Sequence, residues 1–298
     1  LSPTYLNNLT MKYTITHVLL LLGCMAAIGA SMVENNPPSD PYEQQKAEDY
    51  LLFSYASYCD AKEIEDWSCK RCKSDFPHGS VDNPIVIFEN STDTQAFVAT
   101  YNNTVFIAFR GSMDIENWIT NLKFFQTAYP KVAGAEVHLG FYEAYMGVQS
   151  KVYDALTTTI KNCPTCTSIV VTGHSLGGAL ATLCMADVVE WFPEIPTESI
   201  TFGSPRVGND VFSTYYNSIQ PNTWRVVNMK DIVPHVPPQG PLPEYHHVPN
   251  ELWYKKHPTG PYIICNDSGE DKSCSDSTLV VERNIWDHLH YFDKLCCC

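Results

Sequence analysis

The chain has no apolar run of the roughly 20 residues that a membrane-crossing helix needs. Its longest, Val18 to Ile28, falls well short. It is also poor in positive charge, with 19 Lys and Arg against 33 Asp and Glu and a net charge of −14. Nucleic-acid partners are thereby disfavoured, because phosphate binding needs clustered bases. Strong electrostatic docking on anionic lipid is disfavoured too, while hydrophobic docking stays open. Internal repeats and a linker rich enough to split the chain are both missing. What remains is 298 residues, 44% of them hydrophobic, enough for one sizeable core and too ordered in pattern for disorder.

The first thirty residues read as a leader. Lys12 precedes the Val18–Ile28 run, which closes on Ala26, Ala27, Gly29 and Ala30. That is the layout of a secretory signal peptide over residues 11–30, starting at Met11, with residues 1–10 upstream of it. A membrane anchor or a buried helix is the plainer alternative. The remaining residues, 31–298, form one domain, secreted and not stably inserted in a membrane. Secretion permits disulfides. Twelve cysteines are present, and Cys24 leaves with the signal. Cys69-x-x-Cys72 and Cys163-x-x-Cys166 have the local spacing of a zinc or redox site. The long gap between them is wrong for a zinc ribbon, and neither pair opens a helix after a strand. Cys184 lies on an apolar helical face and is expected to be a buried free thiol. An odd total leaves one sulfur of the tail Cys296-Cys297-Cys298 unpaired or intermolecular. Glycosylation sequons occur at Asn90, Asn102 and Asn266.

Periodicity orders the rest. From Tyr42 a helical pattern puts Ala47, Tyr50, Leu51, Ser54, Tyr55 and Tyr58 on one side. Strand-like runs follow at Ile85–Phe88, Ala96–Tyr101 and Val105–Phe109, the last two joined by an Asn102-Asn103 turn. Phe141–Ile160 reads as a long helix. Then strand and helix alternate: Ser168–Thr172, Leu176–Trp191, Ser199–Phe202, Asp210–Ile219, Trp224–Asn228. That alternation implies an α/β fold with a mostly parallel sheet covered by helices.

Chemistry concentrates at Gly173-His174-Ser175-Leu176-Gly177-Gly178. A strand precedes it and a helix follows, the context in which G-x-S-x-G carries a nucleophilic serine. The two glycines leave room for strand and helix to meet. The free N–H groups at the helix start face the place where an anionic oxygen would form. A serine needs a base to take its proton. In this arrangement acid and histidine follow the serine in sequence. Asp187 lies inside the next helix and Asp210 opens another. Asp231 comes directly after a strand, at the sheet end where sites form, and is the best acid on position. Six histidines lie downstream of it: His235, His246, His247, His257, His288 and His290. His235 is too near Asp231 in sequence, and spacing does not separate His288 from His290.

These residues resemble a known family, the class 3 lipases. The resemblance runs from about residue 42 to the C-terminus. It rests on Phe109-Arg110-Gly111-Ser112, Val137-His138-x-Gly140-Phe141, the GHSLGG box, Thr201-Phe202-Gly203-x-Pro205-Arg206-Val207-Gly208, Val227-Asn228-x-x-Asp231-Ile232-Val233-Pro234 and Asp287-His288-Leu289-x-Tyr291-Phe292. It implies a single α/β-hydrolase domain with a helical lid, and hydrolysis of carboxylic esters without metal or organic cofactor. It implies Ser175 as nucleophile, Asp231 as acid and His288 as base. The oxyanion would be met by the Leu176 N–H and by Ser112.

The lid it implies is Met113–Leu122, where Ile115, Trp118, Ile119 and Leu122 recur at helical spacing against Asp114, Glu116 and Asn117. An ordinary surface helix would show the same pattern. Three bridges are also implied: Cys69–Cys72, Cys265–Cys274, and Cys59 with the tail, most simply Cys296. The expected substrate is a water-insoluble lipid ester met at an interface, most of all a triacylglycerol. Phospholipase A1 and feruloyl esterase share the framework. A hydrolase-fold binding protein without turnover is the non-enzymatic alternative, and such proteins usually lack a triad member.

Overall fold

The computed structural model describes residues 42–75, 81–240 and 243–298, so the expected leader lies outside the described residues. Helix α1 (Gln44–Ala56) leads to two short helices, α2 (Ala61–Glu65) and α3 (Lys70–Ser74). Strands β1 (Asp82–Glu89), β2 (Thr94–Tyr101) and β3 (Thr104–Phe109) follow, then α4 (Ile115–Asn121). A small hairpin, β4 (Gln126–Ala128) and β5 (Glu136–His138), precedes the long α5 (Leu139–Asn162). Next come β6 (Ser168–His174), α6 (Leu176–Trp191), β7 (Thr197–Phe202), α7 (Asp210–Ile219), β8 (Thr223–Asn228), β9 (Glu251–Tyr254) and β10 (Ile263–Ile264). The chain ends in α8 (Ile285–Leu289) and a second hairpin, β11 (His290–Tyr291) and β12 (Lys294–Leu295).

Eight strands form one sheet in the order β1-β2-β3-β6-β7-β8-β9-β10. The five from β3 to β9 run parallel, and both edges are antiparallel. Side chains alternate across each strand. Val98, Ile107 and Val171 pack on one face beneath α5, α6 and α7. Phe97, Ala99, Phe106 and Val170 pack on the other beneath α1, where Phe53 stacks on Phe106 at 4.1 Å. Both faces are thus covered, which is why the central strands read as unbroken apolar runs. Asn102 and Asn103 both take positive φ, 48° and 60°, as a tight hairpin turn between β2 and β3 requires.

Because β3, β6, β7, β8 and β9 are parallel, their carboxyl ends share one edge of the sheet. Ser112, Ser175, Gly203 and Asp231 all follow strands at that edge. Among the described residues no helix is long and apolar enough to cross a membrane.

Candidate active site

The turn between β6 and α6 holds Ser175 at φ 61° and ψ −133°, a conformation that costs about 1–3 kcal/mol and persists only where surroundings enforce it. The enforcement is close packing. A Cβ on Gly173 would lie 2.2 Å from the Gly177 carbonyl oxygen, and one on Gly177 would lie 2.2 Å from that of Phe109. The Ser175 N–H donates to Phe202 at 2.9 Å, and its carbonyl accepts from the Gly178 N–H at 2.9 Å.

Asp231 is fully buried three residues after β8. Its carboxylate accepts from the Val233 N–H at 2.8 Å, from the Tyr291 hydroxyl at 2.6 Å and from His288 Nδ1 at 2.9 Å. His288 is equally buried, on the five-residue α8. So short a helix has little stability of its own. Polar contacts hold it instead. Asn284 caps it by accepting from the Asp287 N–H at 2.8 Å. Asn228 Nδ2 donates to the carbonyls of Asp287 at 3.0 Å and His290 at 2.7 Å. The Lys230 N–H donates to the Asp287 carboxylate at 3.0 Å. Since a carboxylate only accepts, the His288 proton facing Asp231 sits on Nδ1. Nε2 is then the basic nitrogen. Among the described residues neither it nor Ser175 Oγ has a hydrogen-bond partner, and both residues line one cavity of about 70 Å³.

Gly203, at φ 56°, lies where a Cβ would come within 2.6 Å of Asp231 Oδ2 and 2.8 Å of His288 Nδ1. No side chain fits there without displacing the pair. His174 lies beneath His288, the rings stacked at 4.4 Å. Its Nε2 is 2.9 Å from the His288 carbonyl and its Nδ1 is 3.0 Å from the Tyr58 hydroxyl. A carbonyl only accepts, so Nε2 carries the proton and Tyr58 donates to Nδ1. Burial, then the neighbouring His288, hold the His174 pKa well below its ordinary value, so the ring is neutral.

Helix α4 covers this cavity. Asp114 caps it, accepting from the Asn117 N–H at 3.1 Å. Ile115, Trp118, Ile119 and Leu122 are half-buried, while Glu116, Asn117 and Thr120 are exposed. Trp118 stacks on Phe141 at 6.2 Å. Ser175 is left only 1% exposed. Ser112, Met113 and Ile115 line the cavity with Ser175, and the Ser112 hydroxyl donates to the Asp114 carbonyl at 3.2 Å. Beside it runs a groove of about 570 Å³, lined by Trp118, Leu122, Phe125, His138, Phe141 and Leu176. Burial pushes the His138 pKa down to about 4, so that ring too is uncharged near neutrality.

The other expected residues lie elsewhere. Asp187 is buried far along α6, where its carboxylate accepts from Lys131, Tyr145 and Gln149, each at 2.6 Å. Asp210 is exposed. His290 stacks on Trp286 at 3.8 Å, turned away from Asp231. His247 is buried against the Pro234 carbonyl. Asn90, Asn102 and Asn266 are all exposed in turns or loops.

The cysteines require two corrections. Cys69–Cys72 and Cys265–Cys274 pair as the resemblance implies, and Cys163 pairs with Cys166. Cys59, however, bonds to Cys298, and Cys296 to Cys297. The hairpin explains the difference. The Cys296 N–H donates to the Leu289 carbonyl at 2.7 Å, which turns its sulfur toward His174, 3.8 Å from Nδ1. Two residues later the chain comes within 4.9 Å, Cα to Cα, of Cys59. The expected unpaired tail sulfur is therefore also wrong. Among the described residues Cys184, buried in α6, is the free thiol.

Tyr58, Asn228, Gly203 and Tyr291 have supporting places in the site that the sequence alone does not assign. Gly203, Asn228 and Tyr291 stand inside quoted motifs, which is the only signal the sequence held for them. Tyr58 showed only as part of a helical face.

Comparison with known proteins gives a consistent result. The family model for lipase (class 3) matches residues 106–240. A lipase of Rhizomucor miehei is 34% identical over 82% of this chain and 67% of its own length. A lipase of Rhizopus niveus is 34% identical over 76% of this chain and 57% of its own length. Secreted mono- and diacylglycerol lipase 1 of Fusarium solani is 32% identical, covering 84% of this chain and 76% of that protein. A solved structure, described as a triacylglycerol lipase whose catalytic centre is a serine protease triad, superposes with a TM-score of 0.75 at 33% identity, over 85% of this chain and 96% of that one. With the serine elbow, the parallel sheet and the covering helix already in place, the chain belongs to the class 3 lipase family.

Proposed function

We propose that this protein is a secreted lipase that hydrolyses water-insoluble carboxylic esters, triacylglycerols foremost, through Ser175, His288 and Asp231. The observation that carries the reading is the His288 Nδ1 contact to Asp231 at 2.9 Å, with His288 lining the cavity that also holds Ser175. His288 Nε2 takes the Ser175 proton as Oγ attacks the ester carbonyl. Asp231 keeps the imidazole in the right tautomer and stabilises its charged form. The alcohol leaves with that proton. Water then attacks the acyl-enzyme, and the serine is regenerated.

The oxyanion is met by the Leu176 N–H at the start of α6 and by Ser112. Loss of one such donor typically costs about 10²–10³ in turnover. In the closed arrangement the Ser112 hydroxyl is engaged by Asp114, so displacement of α4 frees it as well as uncovering Ser175. Displacement also exposes the apolar side of α4, with Trp118 at its centre, as a lipid-docking face. The groove lined by Trp118, Phe125 and Phe141 suits an acyl chain. The mature domain begins near residue 31, after a signal peptide at 11–30. The Fusarium relative is named as secreted, which supports export.

A fluorophosphonate should label Ser175 in the wild type and leave Ser175→Ala unlabelled. A panel of triolein, phosphatidylcholine and methyl ferulate then ranks the substrate classes, with triolein expected first. A labelled serine with no turnover of any of the three would leave a binding protein as the better account.

A further inference from the structure

A second apolar surface stands at the same sheet edge, outside both α4 and the groove. Leu279, Val280 and Val281 are consecutive and 63%, 75% and 91% exposed. Isolated exposed aliphatics are ordinary on a protein surface, but three in succession on a rigid turn are not. The turn is braced from behind. The Glu282 N–H donates to the Leu279 carbonyl at 2.9 Å, and Arg283 donates to the Thr278 hydroxyl at 3.2 Å and carbonyl at 3.1 Å. Its outward pose is therefore fixed without any change in α4.

The surface is tied directly to the catalytic residues. Asn284, three residues on, pairs with Asp231 in a parallel bridge and caps the helix that carries His288. Trp286, 68% exposed, stacks on His290, and His290 pairs across the hairpin with Leu295, itself 53% exposed. Met113, 64% exposed, lines the catalytic cavity together with Leu289 and Cys296. Exposed apolar side chains thus stand both at that cavity and at the Leu279–Val281 turn.

We propose that Leu279, Val280 and Val281, with Trp286, form a permanent docking edge for an uncharged lipid surface. It seats the catalytic mouth on the lipid before α4 moves. This rests on the lipid-ester reading above. Charge selects the kind of surface. The flanking ions Lys230 and Glu282 pair with each other at 3.3 Å, and the chain carries −14 overall. Arg283, beside the turn, is likewise paired, with Asp276 at 3.7 Å, so the cations nearest the turn are already neutralised and anionic headgroups are disfavoured. Aliphatic burial alone supplies the attraction, as for other interfacial anchors.

The test uses the full chain bearing Ser175→Ala, so that turnover does not change the surface. Partitioning onto phosphatidylcholine-coated triolein droplets is measured by flotation. L279S/V280S/V281S should lower the partition constant by at least about tenfold. In the active background the same triple variant should hydrolyse a dissolved short-chain ester at the wild-type rate, which shows that the fold is intact. V281W should raise partitioning. Unchanged partitioning of the triple variant overturns the proposal, and so does equal or stronger binding to droplets coated with phosphatidylglycerol. A shift from dimer to monomer in the triple variant, with droplet binding intact, would give the surface to a second copy of the chain instead. If the wild type partitions as proposed yet leaves triolein uncleaved, it is the lipase reading that fails and not the docking edge.

Discussion

His174 donates from Nε2 to the backbone carbonyl of His288 at 2.9 Å, while its ring stacks beneath the His288 ring. The residue just before Ser175 thus holds the segment that carries His288, 114 positions away. Burial keeps His174 neutral, so it serves as a fixed donor and not as a competing base.

His174→Phe removes that donor, leaves the His288 carbonyl without its partner, and leaves the Tyr58 hydroxyl only its 3.4 Å bond to the carbonyl of residue 174. A buried group left unpaired costs about 1–3 kcal/mol. Turnover is expected to fall by about tenfold, with KM little changed. His174→Gln keeps a donor and should recover most of the loss. Equal damage from Phe and Gln would assign His174 to packing alone.

Tyr291→Phe removes the 2.6 Å hydrogen bond to Asp231 Oδ2 and little else. Bonds to charged groups contribute about 1.5–3 kcal/mol. kcat/KM should drop by about tenfold or more, through kcat. An unchanged kcat would mean that Val233 and His288 orient the carboxylate without help.

Three buried histidines set a pH dependence of stability. Burial holds His174 and His247 well below the ordinary value and His138 down to about 4. In the unfolded chain each has its ordinary pKa of about 6.5. Below that pH the unfolded state binds protons that the folded state refuses. Their contribution is therefore complete above about pH 6.5 and is lost as pH falls through the folded values. Each histidine adds a slope of up to about 1.4 kcal/mol per pH unit in that window. Urea midpoints should fall between pH 7 and 5, and His247→Phe should make the fall shallower. A flat profile would contradict the burial.

The Cys59–Cys298 bridge joins residues 239 apart. In the chain-entropy model, closing so long a loop stabilises the fold by ~5 kcal/mol. Cys59→Ser and Cys298→Ser should each cost about that much, and the double variant no more. Cys296→Ser should cost far less. If it matched Cys59→Ser, the tail would pair the other way.

Much of this was legible in the residues alone. Helices α6 and α7 begin and end where the alternation of strand and helix puts them, because both carry strong apolar patterns into a buried sheet. Ser175 and Asp231 follow strands at the carboxyl edge, a topological fact that strand order exposes. His288 was not separable from His290 by spacing, because α8 is five residues long and held by Asn228 and Lys230 from another part of the chain. The supports Tyr58, His174 and Tyr291 act over separations of 60 to 116 residues, beyond any local pattern. Three adjacent tail cysteines are equivalent by count, and only the direction of the β11–β12 hairpin sends Cys298 to Cys59.

The most direct measurement is a crystal structure of the protein after reaction with a long-chain alkyl phosphonate. The phosphorus should be bonded to Ser175 Oγ. His288 Nε2 should lie within about 2.6–3.2 Å of an ester oxygen or of Oγ, still backed by Asp231. Helix α4 should be displaced, and Ser112 turned from Asp114 toward the phosphoryl oxygen. A phosphonate attached elsewhere, or an imidazole that stays out of reach with α4 swung aside, would contradict the account.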